Sequence, residues 1–455
     1  MAWARAGIAL GVGVLALLAL SGGRRDDPQT PAALPGLPPP LLGVAVVGSG
    51  GRTAAVDAYG NVVDLRGPGP VGGASVAVAA KRQTAGTVAP GEAIVVRGRL
   101  RDGRSLPLWR ADSVRQRYLP GTNVLRTVAW FGDEKVILVR RIGGANAARG
   151  DRRWLARARA LGDEAPQWAQ AMYRRSLLVL RALTDRDTGA VAAGAREGWA
   201  YVWPRDAAAV AIAFASAGYV PEAQRIVRFL DDLDLSAAAR FYGDGMPVPD
   251  REAQGDAAGW VDAAARAAGL PASDASLRPG WRGLTDYQEG DAGDYLGNVL
   301  ASTVDAVSIH DLFASPQGLN RTAGDAASGL DSTAAWAVRP FSRPALFPAA
   351  RRTLLHLAAL RESRFGIVPS QNWHGGKDPW TAPTAWTAWS LAALGERRAA
   401  LRLMGDLRRA STPLGLLPER VDADTGLPSS TTPLTWSHAF AILALSELWP
   451  GRAGS

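Results

Sequence analysis

The spacing of apolar positions divides the chain into four stretches. Behind a single arginine, Arg5, residues Ala6 to Gly23 run without a charge. That pattern predicts a secretory signal or one membrane anchor over 1–25, outside the folded domains. Ala19-Leu20-Ser21 offers a small-residue cleavage site, while Arg24 and Arg25 match the flank of an uncleaved anchor, and both readings stand. Either way the remainder is expected to be exported, to the extracellular space or the cell envelope, with a membrane contact through this segment if it is retained. The Pro-rich stretch DDPQTPAALPGLPPP, 26–40, fits neither helix nor sheet and predicts an extended linker.

From 41 to 150 the apolar residues come in short Val/Ile-rich runs cut by Gly and Asn: LLGVAVVGSGG, GEAIVVRGRL, NVLRTVAWFG and EKVILVRRI. Tyr59-Gly60-Asn61 marks a turn between two of them. A small β-sandwich domain is the expectation. At Asp151 the period changes to that of a helix, with Trp168, Met172, Leu177, Leu180 and Leu183 on one face. Further helices are predicted at Arg205–Ala217, Pro221–Leu233, Asp256–Ala268, Tyr295–Ala314, Ser332–Val338, Ala345–Leu360, Thr381–Leu394, Arg397–Ala410 and Pro433–Leu448. Helix after helix, separated by Gly/Pro/Asp-rich loops, predicts a mainly α toroid of paired helices over 151–455. Its functional loops would gather at one end.

Composition narrows the chemistry. The chain has 455 residues and a net charge of +9, but its arginines are scattered among acids (RRSLLVLRALTDRD, LGERRAALRLMGDLRRA), as on solvated helix faces. No basic block or binding motif accompanies them, so nucleic acid is not an expected partner. There is no cysteine, which removes disulfides, thiolate metal sites and cysteine nucleophiles. His310, His356, His374 and His438 are far apart and lack metal-ligand spacing, so no metal is expected.

Three loop segments set carboxylates beside aromatics. The first is YVWPRD, in which Trp203-Pro204 stops one segment and Arg205-Asp206 opens a helix of small apolar residues. Proline and an acid suit a first helical turn, so one reading is a well-capped helix start. The other directs Arg205 and Asp206 into a cleft walled by Trp199, Tyr201 and Trp203. The second segment, Gly280 to Asn298, carries Trp281, Asp286, Tyr287, Glu289, Asp291 and Asp294. The third, Leu414 to Ala439, carries Glu419 behind an apolar run and then Thr435-Trp436-Ser437-His438. Glu419 reads either as a surface residue or as a carboxylate tuned for acid–base work. Trp336, Trp386 and Trp389 have the spacing of a helix core, Trp373 and Trp380 flank a loop where a sugar ring could stack, and Asp331 reads as a helix cap.

Together the segments resemble the family-15 glycoside hydrolases: glucoamylases, glucodextranases and certain bacterial trehalases. The likeness runs from about Ser176 to Leu448. RSLLVLRALTDRDTGAVAAGAREGWAYVWPRDAA carries most of it, with HGGKDPWTAPTAWTAWSLAALG and GLLPERVDADTGLPSSTTPLTWSHA following in the family's order. The resemblance implies a β-domain joined to an (α/α)6 barrel. It further implies an exo-acting, inverting hydrolase of α-glucosidic bonds, with no metal or cofactor and a carbohydrate as partner. By the same likeness Arg205 and Asp206 grip the hydroxyls of the non-reducing sugar; Tyr201, Trp203, Trp373, Trp380 and Trp436 are the aromatic candidates for binding beside them. Glu419 would activate water and Glu289 would supply the proton. The chain departs from the family where Gln288 precedes Glu289, where Ile367 to Asn372 replace an Arg and an acid, and where Arg420 follows the base. The alternatives are a non-catalytic carbohydrate-binding or scaffold protein of the envelope, or a trehalase or other envelope-glycan hydrolase.

Overall fold

The computed structural model describes residues 44–66, 95–196, 199–272 and 295–451. The expected signal or anchor, the linker and Glu289 with its neighbours Asp286, Asp291 and Asp294 all lie outside the described residues. Among those described, no helix is long and apolar enough to cross a membrane.

The strands expected over 41–150 form three small antiparallel sheets. One joins β1 (Ala45–Ser49), β2 (Arg52–Val56) and β3 (Val62–Arg66), the second pairs β4 (Arg97–Arg99) with β5 (Ser105–Pro107), and the third joins β6 (Ser113–Tyr118), β7 (Leu125–Phe131) and β8 (Glu134–Arg140). Tyr118 ties the first and third, because its hydroxyl accepts from Val46 N (2.8 Å) and donates to Val46 O (2.9 Å).

Helices follow from Ala147: α1 (Ala147–Leu155), α2 (Gln167–Leu183), α3 (Pro204–Ser216), α4 (Val220–Asp231), α5 (Ala257–Ala267), α6 (Leu296–Leu300), α7 (Ala306–Phe313), α8 (Phe347–Leu360), α9 (Thr381–Ala393), α10 (Arg397–Ala410) and α11 (Thr435–Leu448). Two classes alternate. Helices α3, α9 and α11 bury residues on every side. Helices α4 and α10 bury one stripe only, Ala223, Ile226, Val227 and Leu230 in the first and Ala399, Ala400, Leu403, Met404 and Leu407 in the second. A helix apolar all round must be an inner one, and an amphipathic helix an outer one. The two inner–outer pairs α3–α4 and α9–α10 turn alike. Gly218 (φ 88°) and Gly395 (φ 81°) follow the helix, and the next residue donates back across the last turn, Tyr219 N to Phe214 O and Glu396 N to Leu391 O, both 2.8 Å. This C-cap needs a left-handed residue, which glycine adopts without strain.

The helical core is aromatic at its centre. Trp260 meets Trp336 edge to face at 5.1 Å, Trp336 meets Trp386 at 5.4 Å, and Phe440 closes on Trp386 at 5.5 Å. Trp336, Trp386 and Trp389 are all buried, as their spacing predicts. The β-sheets dock on α2, where Asn123 Nδ2 donates to Leu178 O (2.8 Å) and Gly50 N to Arg181 O (2.9 Å).

Two expectations need correction. The single helix predicted at Tyr295–Ala314 is two, because the Asp305 carboxylate accepts from Val307 N (2.9 Å) and Ser308 N (3.0 Å) and starts α7 afresh. Behind it the chain forms an unforeseen three-stranded meander, β9 (Ala314–Ser315), β10 (Gly318–Thr322) and β11 (Asp325–Leu330). The Ala/Gly content of these strands carries no β signal.

Candidate active site

Trp203 is extended (φ −94°, ψ 122°) and Pro204 opens α3, so Arg205 and Asp206 fall in the first turn. Neither side chain faces solvent; each is 4% exposed. Arg205 donates from Nη1 to Gln254 Oε1 (2.9 Å) and Asp256 Oδ2 (3.2 Å), and from Nη2 to Asp206 Oδ2 (3.4 Å). Its guanidinium lies 4.4 Å from the Trp436 ring. One cation therefore holds two buried carboxylates from α3 and from the start of α5. Burial pushes the Asp206 carboxyl up to about 6, with repulsion from Asp256 and Glu419 adding and Arg205 opposing. Asp256 is raised by burial too, against the pull of Arg205. Such an arrangement is not a solvent-exposed helix start. It is a charged cluster inside the toroid.

Glu419 sits on an irregular ribbon between Pro379–Thr381 and Ser429–Leu434. Glu419 N donates to Thr431 O and Thr381 N to Glu419 O, both 2.9 Å, while Trp380 bridges Arg420. The side chain is half-buried. Trp199 Nε1 donates to Oε1 at 3.3 Å, and the Ser430 hydroxyl donates to Oε2. Burial raises the Glu419 carboxyl above the ordinary glutamate range, while these two hydrogen bonds and the charges of Arg420 and Arg251 oppose the rise. A carboxylate so placed stays basic and keeps lone pairs for water. The Trp199 bond ties Glu419 to the segment that leads into α3, where Asp206 lies in the first turn, and the Glu419 charge acts on Asp206.

His438 steadies this ribbon from below. It is fully buried, and burial with the nearby charge of Arg175 lowers its pKa to about 3. Leu417 N donates to Nε2 at 3.0 Å, so the neutral ring carries its proton on Nδ1 and donates to Ser176 Oγ at 2.8 Å.

Aromatics occupy the same segments as the carboxylates. Tyr201 meets Trp203 at 6.5 Å and Tyr242 at 5.6 Å, both edge on, with Arg240 lying 4.4 Å from the Tyr201 ring. Trp373 and Trp380 meet edge to face at 5.6 Å, half-buried, and neither indole N–H has an acceptor among the described residues. Trp436 lies lower, 4% exposed among Trp386 and Phe440, and carries the Arg205 guanidinium on its face.

Four further residues had no motif to announce them. Gln254 and Asp256 complete the Arg205 cluster; their only signal is a glycine between two polar residues at a helix start, and a Cβ on Gly255 would approach the Asn298 side chain to 3.0 Å. Arg321 on β10 is buried, donates to Asp331 Oδ2 at 2.8 Å and stacks over Tyr295 (4.7 Å) and Trp373 (5.5 Å). Asp331 caps the following turn through Thr333 N (2.8 Å), so it is a cap and an ion-pair partner at once. The Tyr295 hydroxyl also acts on the charge of Arg205. Ser430 was hidden in a Ser/Thr run.

No family model matches the sequence, and no curated protein matches it. Solved structures do match the fold. A wild-type glycosidase aligns with a TM-score of 0.53 at 20% identity, over 62% of this chain and 97% of its own. A bacterial glucoamylase complexed with acarbose gives 0.52 at 18% identity, over 67% of this chain and 58% of its own. The glucoamylase from Saccharomycopsis fibuligera gives 0.51 at 11% identity, over 63% and 96%. The chain thus has the helical toroid fold found in these glycosidases.

Proposed function

We propose that this protein is an exported glycoside hydrolase, exo-acting and inverting, that cleaves α-glucosidic bonds at the non-reducing end of an oligo- or polysaccharide. The observation that carries the reading is the buried Arg205–Asp206–Asp256 cluster at the start of α3, together with Glu419, which Trp199 ties to the segment leading into that helix. A terminal sugar presents adjacent hydroxyls, each of which both donates and accepts. Arg205 supplies donors in a planar fork and Asp206 an acceptor beside it, held in place by Gln254, Asp256 and the Trp436 face. The rings of Tyr201, Trp203, Trp373 and Trp380 offer faces on which a sugar ring could stack.

Glu419 takes the proton from the attacking water. Trp199 and Ser430 hold its two oxygens by one donor each, which opposes the rise in pKa that burial imposes. Inversion requires a protonated carboxyl group on the far side of the bond, about 6.5–9.5 Å from the base, so that water fits behind the anomeric carbon. We assign that acid to Glu289 on the family likeness of its segment. Support comes from the glucoamylases that share the fold, one of them solved with acarbose.

Product analysis tests the reading. Malto-oligosaccharides and trehalose are incubated with the protein and the first-formed glucose is followed by proton NMR. Inversion at an α bond gives the β anomer, and which substrate reacts separates the glucoamylase from the trehalase alternative. Initial α-glucose would exclude inversion. Tight sugar binding without release of any sugar would favour a non-catalytic envelope protein.

A further inference from the structure

Among the described residues a number of arginines pair with a carboxylate, but four that face a single cavity do not. The cavity, of about 690 Å³, lies between α1, α2 and the turn after α10, and none of the cleft residues described above lines it. Arg152, Arg174, Arg175 and Arg408 project from its walls. Among the described residues no carboxylate stands within 4.0 Å of any of them, whereas their neighbours Arg181 and Arg409 pair with Asp151 (3.0 Å) and Asp406. No acidic residue lines the cavity.

Three of the four have partners among their neighbours. Arg175 donates to Asn123 Oδ1 and Thr122 O, both 2.9 Å, with its guanidinium 3.7 Å from the Tyr118 ring. Arg152 Nε donates to Pro120 O at 3.1 Å, and Arg408 lies 5.7 Å from the Trp168 ring. Asp151 acts on Arg175 and Arg152 from behind but is itself paired with Arg181, so the four guanidinium groups keep an excess of positive charge that a bound anion offsets. Each planar fork suits a carboxylate, sulfate or phosphate. Met172, Leu178 and Leu414 contribute an apolar floor, suited to the C–H face of a sugar. The volume falls within the range of small-molecule sites, about 300–1,000 Å³, and exceeds what one inorganic anion fills.

A membrane surface fits less well, because none of the exposed large apolar residues (Ile137, Val139, Val220, Met246, Val307, Leu360 and Leu427) lines the cavity to insert into lipid. Nucleic acid fits less well too, since the one aromatic ring of the lining, Trp168, is faced by Arg408 and meets Trp449 edge to face.

We propose that this groove is a second carbohydrate site, distinct from the cleft, that binds a glycan segment bearing carboxylate, sulfate or phosphate groups. It gives the protein a hold on an acidic envelope or extracellular polysaccharide, independent of turnover at Glu419.

Calorimetric titration of the whole protein at low salt with hexagalacturonate, beside its fully methyl-esterified form, tests the inference. The expected result is saturable binding of the acid and none of the uncharged ester. Arg174→Gln/Arg408→Gln, whose side chains are exposed and not needed for folding, should weaken binding at least tenfold. It should also flatten the fall of affinity with salt and leave cleft activity unchanged. Because binding is also read in Glu419→Gln, failure of the groove and failure of the catalytic reading are told apart. Equal binding of acid and ester, unchanged affinity in the double variant, or polyglutamate binding as tightly as the oligosaccharide would each overturn the proposal. So would complete competition by millimolar phosphate, which marks a simple anion site, or arginine-dependent capture by phosphatidylglycerol vesicles, which marks a lipid headgroup.

Discussion

Burial raises the pKa of Glu419, and two hydrogen bonds oppose that rise. Trp199 and Ser430 both donate to its carboxylate, so both favour the charged form against the burial that raises its pKa. Removing either donor, by Trp199→Phe or Ser430→Ala, must raise the pKa further. The acid limb of kcat/KM should then move to higher pH in each variant, and a pH–rate series reads it directly. A limb that stays in place, or moves to lower pH, would mean that another group titrates. Arg205 gives a second residue-scale prediction. Arg205→Lys keeps the charge and loses the fork, so kcat/KM should fall at least tenfold, about 1.5 kcal/mol for a charge-assisted bond. Arg205→Ala should go further and lower stability by about 3–5 kcal/mol, because Asp206 and Asp256 would remain buried without their cation. Chemical unfolding distinguishes the two effects, the lysine variant remaining the more stable.

At the scale of elements, legibility followed the kind of signal. The inner helices α3, α9 and α11 were readable because an apolar run with helical period leaves few alternatives, and Arg205-Asp206 was readable because proline and a first-turn acid mark the helix start. Their partners were not. Gln254 and Asp256 stand 49 and 51 residues away, and nothing local distinguishes a polar side chain that will be buried from one that will be solvated. The break between α6 and α7 rests on one Asp305 carboxylate competing for backbone N–H groups inside a continuous apolar pattern. Arg321 was missed with the strand that carries it, since β10 is defined by pairing to β9 and β11 and not by its own residues.

The same ribbon that carries Glu419 supplies an element-scale prediction through His438. Its folded pKa of about 3 lies below the ordinary histidine value of about 6.5, so the unfolded chain binds a proton that the folded chain refuses. The stabilisation is present above pH ~6.5 and is lost as pH falls towards 3. His438→Gln keeps an acceptor for Leu417 N and a donor for Ser176 but does not titrate. Urea unfolding at pH 7 and pH 5 should show the wild type's advantage over the variant shrinking at the lower pH, by up to about 1.4 kcal/mol per unit. An advantage that is constant with pH would contradict a neutral buried histidine.

For the whole molecule, opposite charges and opposite linkages meet in one toroid. Asp206, and Asp57 in the β-sheets, are each raised to about 6, so their contribution to stability is present at low pH and lost as pH rises from about 4 through 6. That runs against the His438 term in the same window, and the net slope is their difference. Under the proposed function the helical toroid brings Arg205 and Asp206 to grip a sugar while Glu419 activates water against it. Substituting Glu419 by Gln tests it most directly, with turnover of a malto-oligosaccharide and binding of a sugar ligand measured on the same protein. Gln keeps the shape and the contact with Trp199 but loses the basicity, so turnover should fall at least a thousandfold while ligand affinity and unfolding midpoint stay close to wild type. Near-normal turnover in Glu419→Gln would contradict the claim.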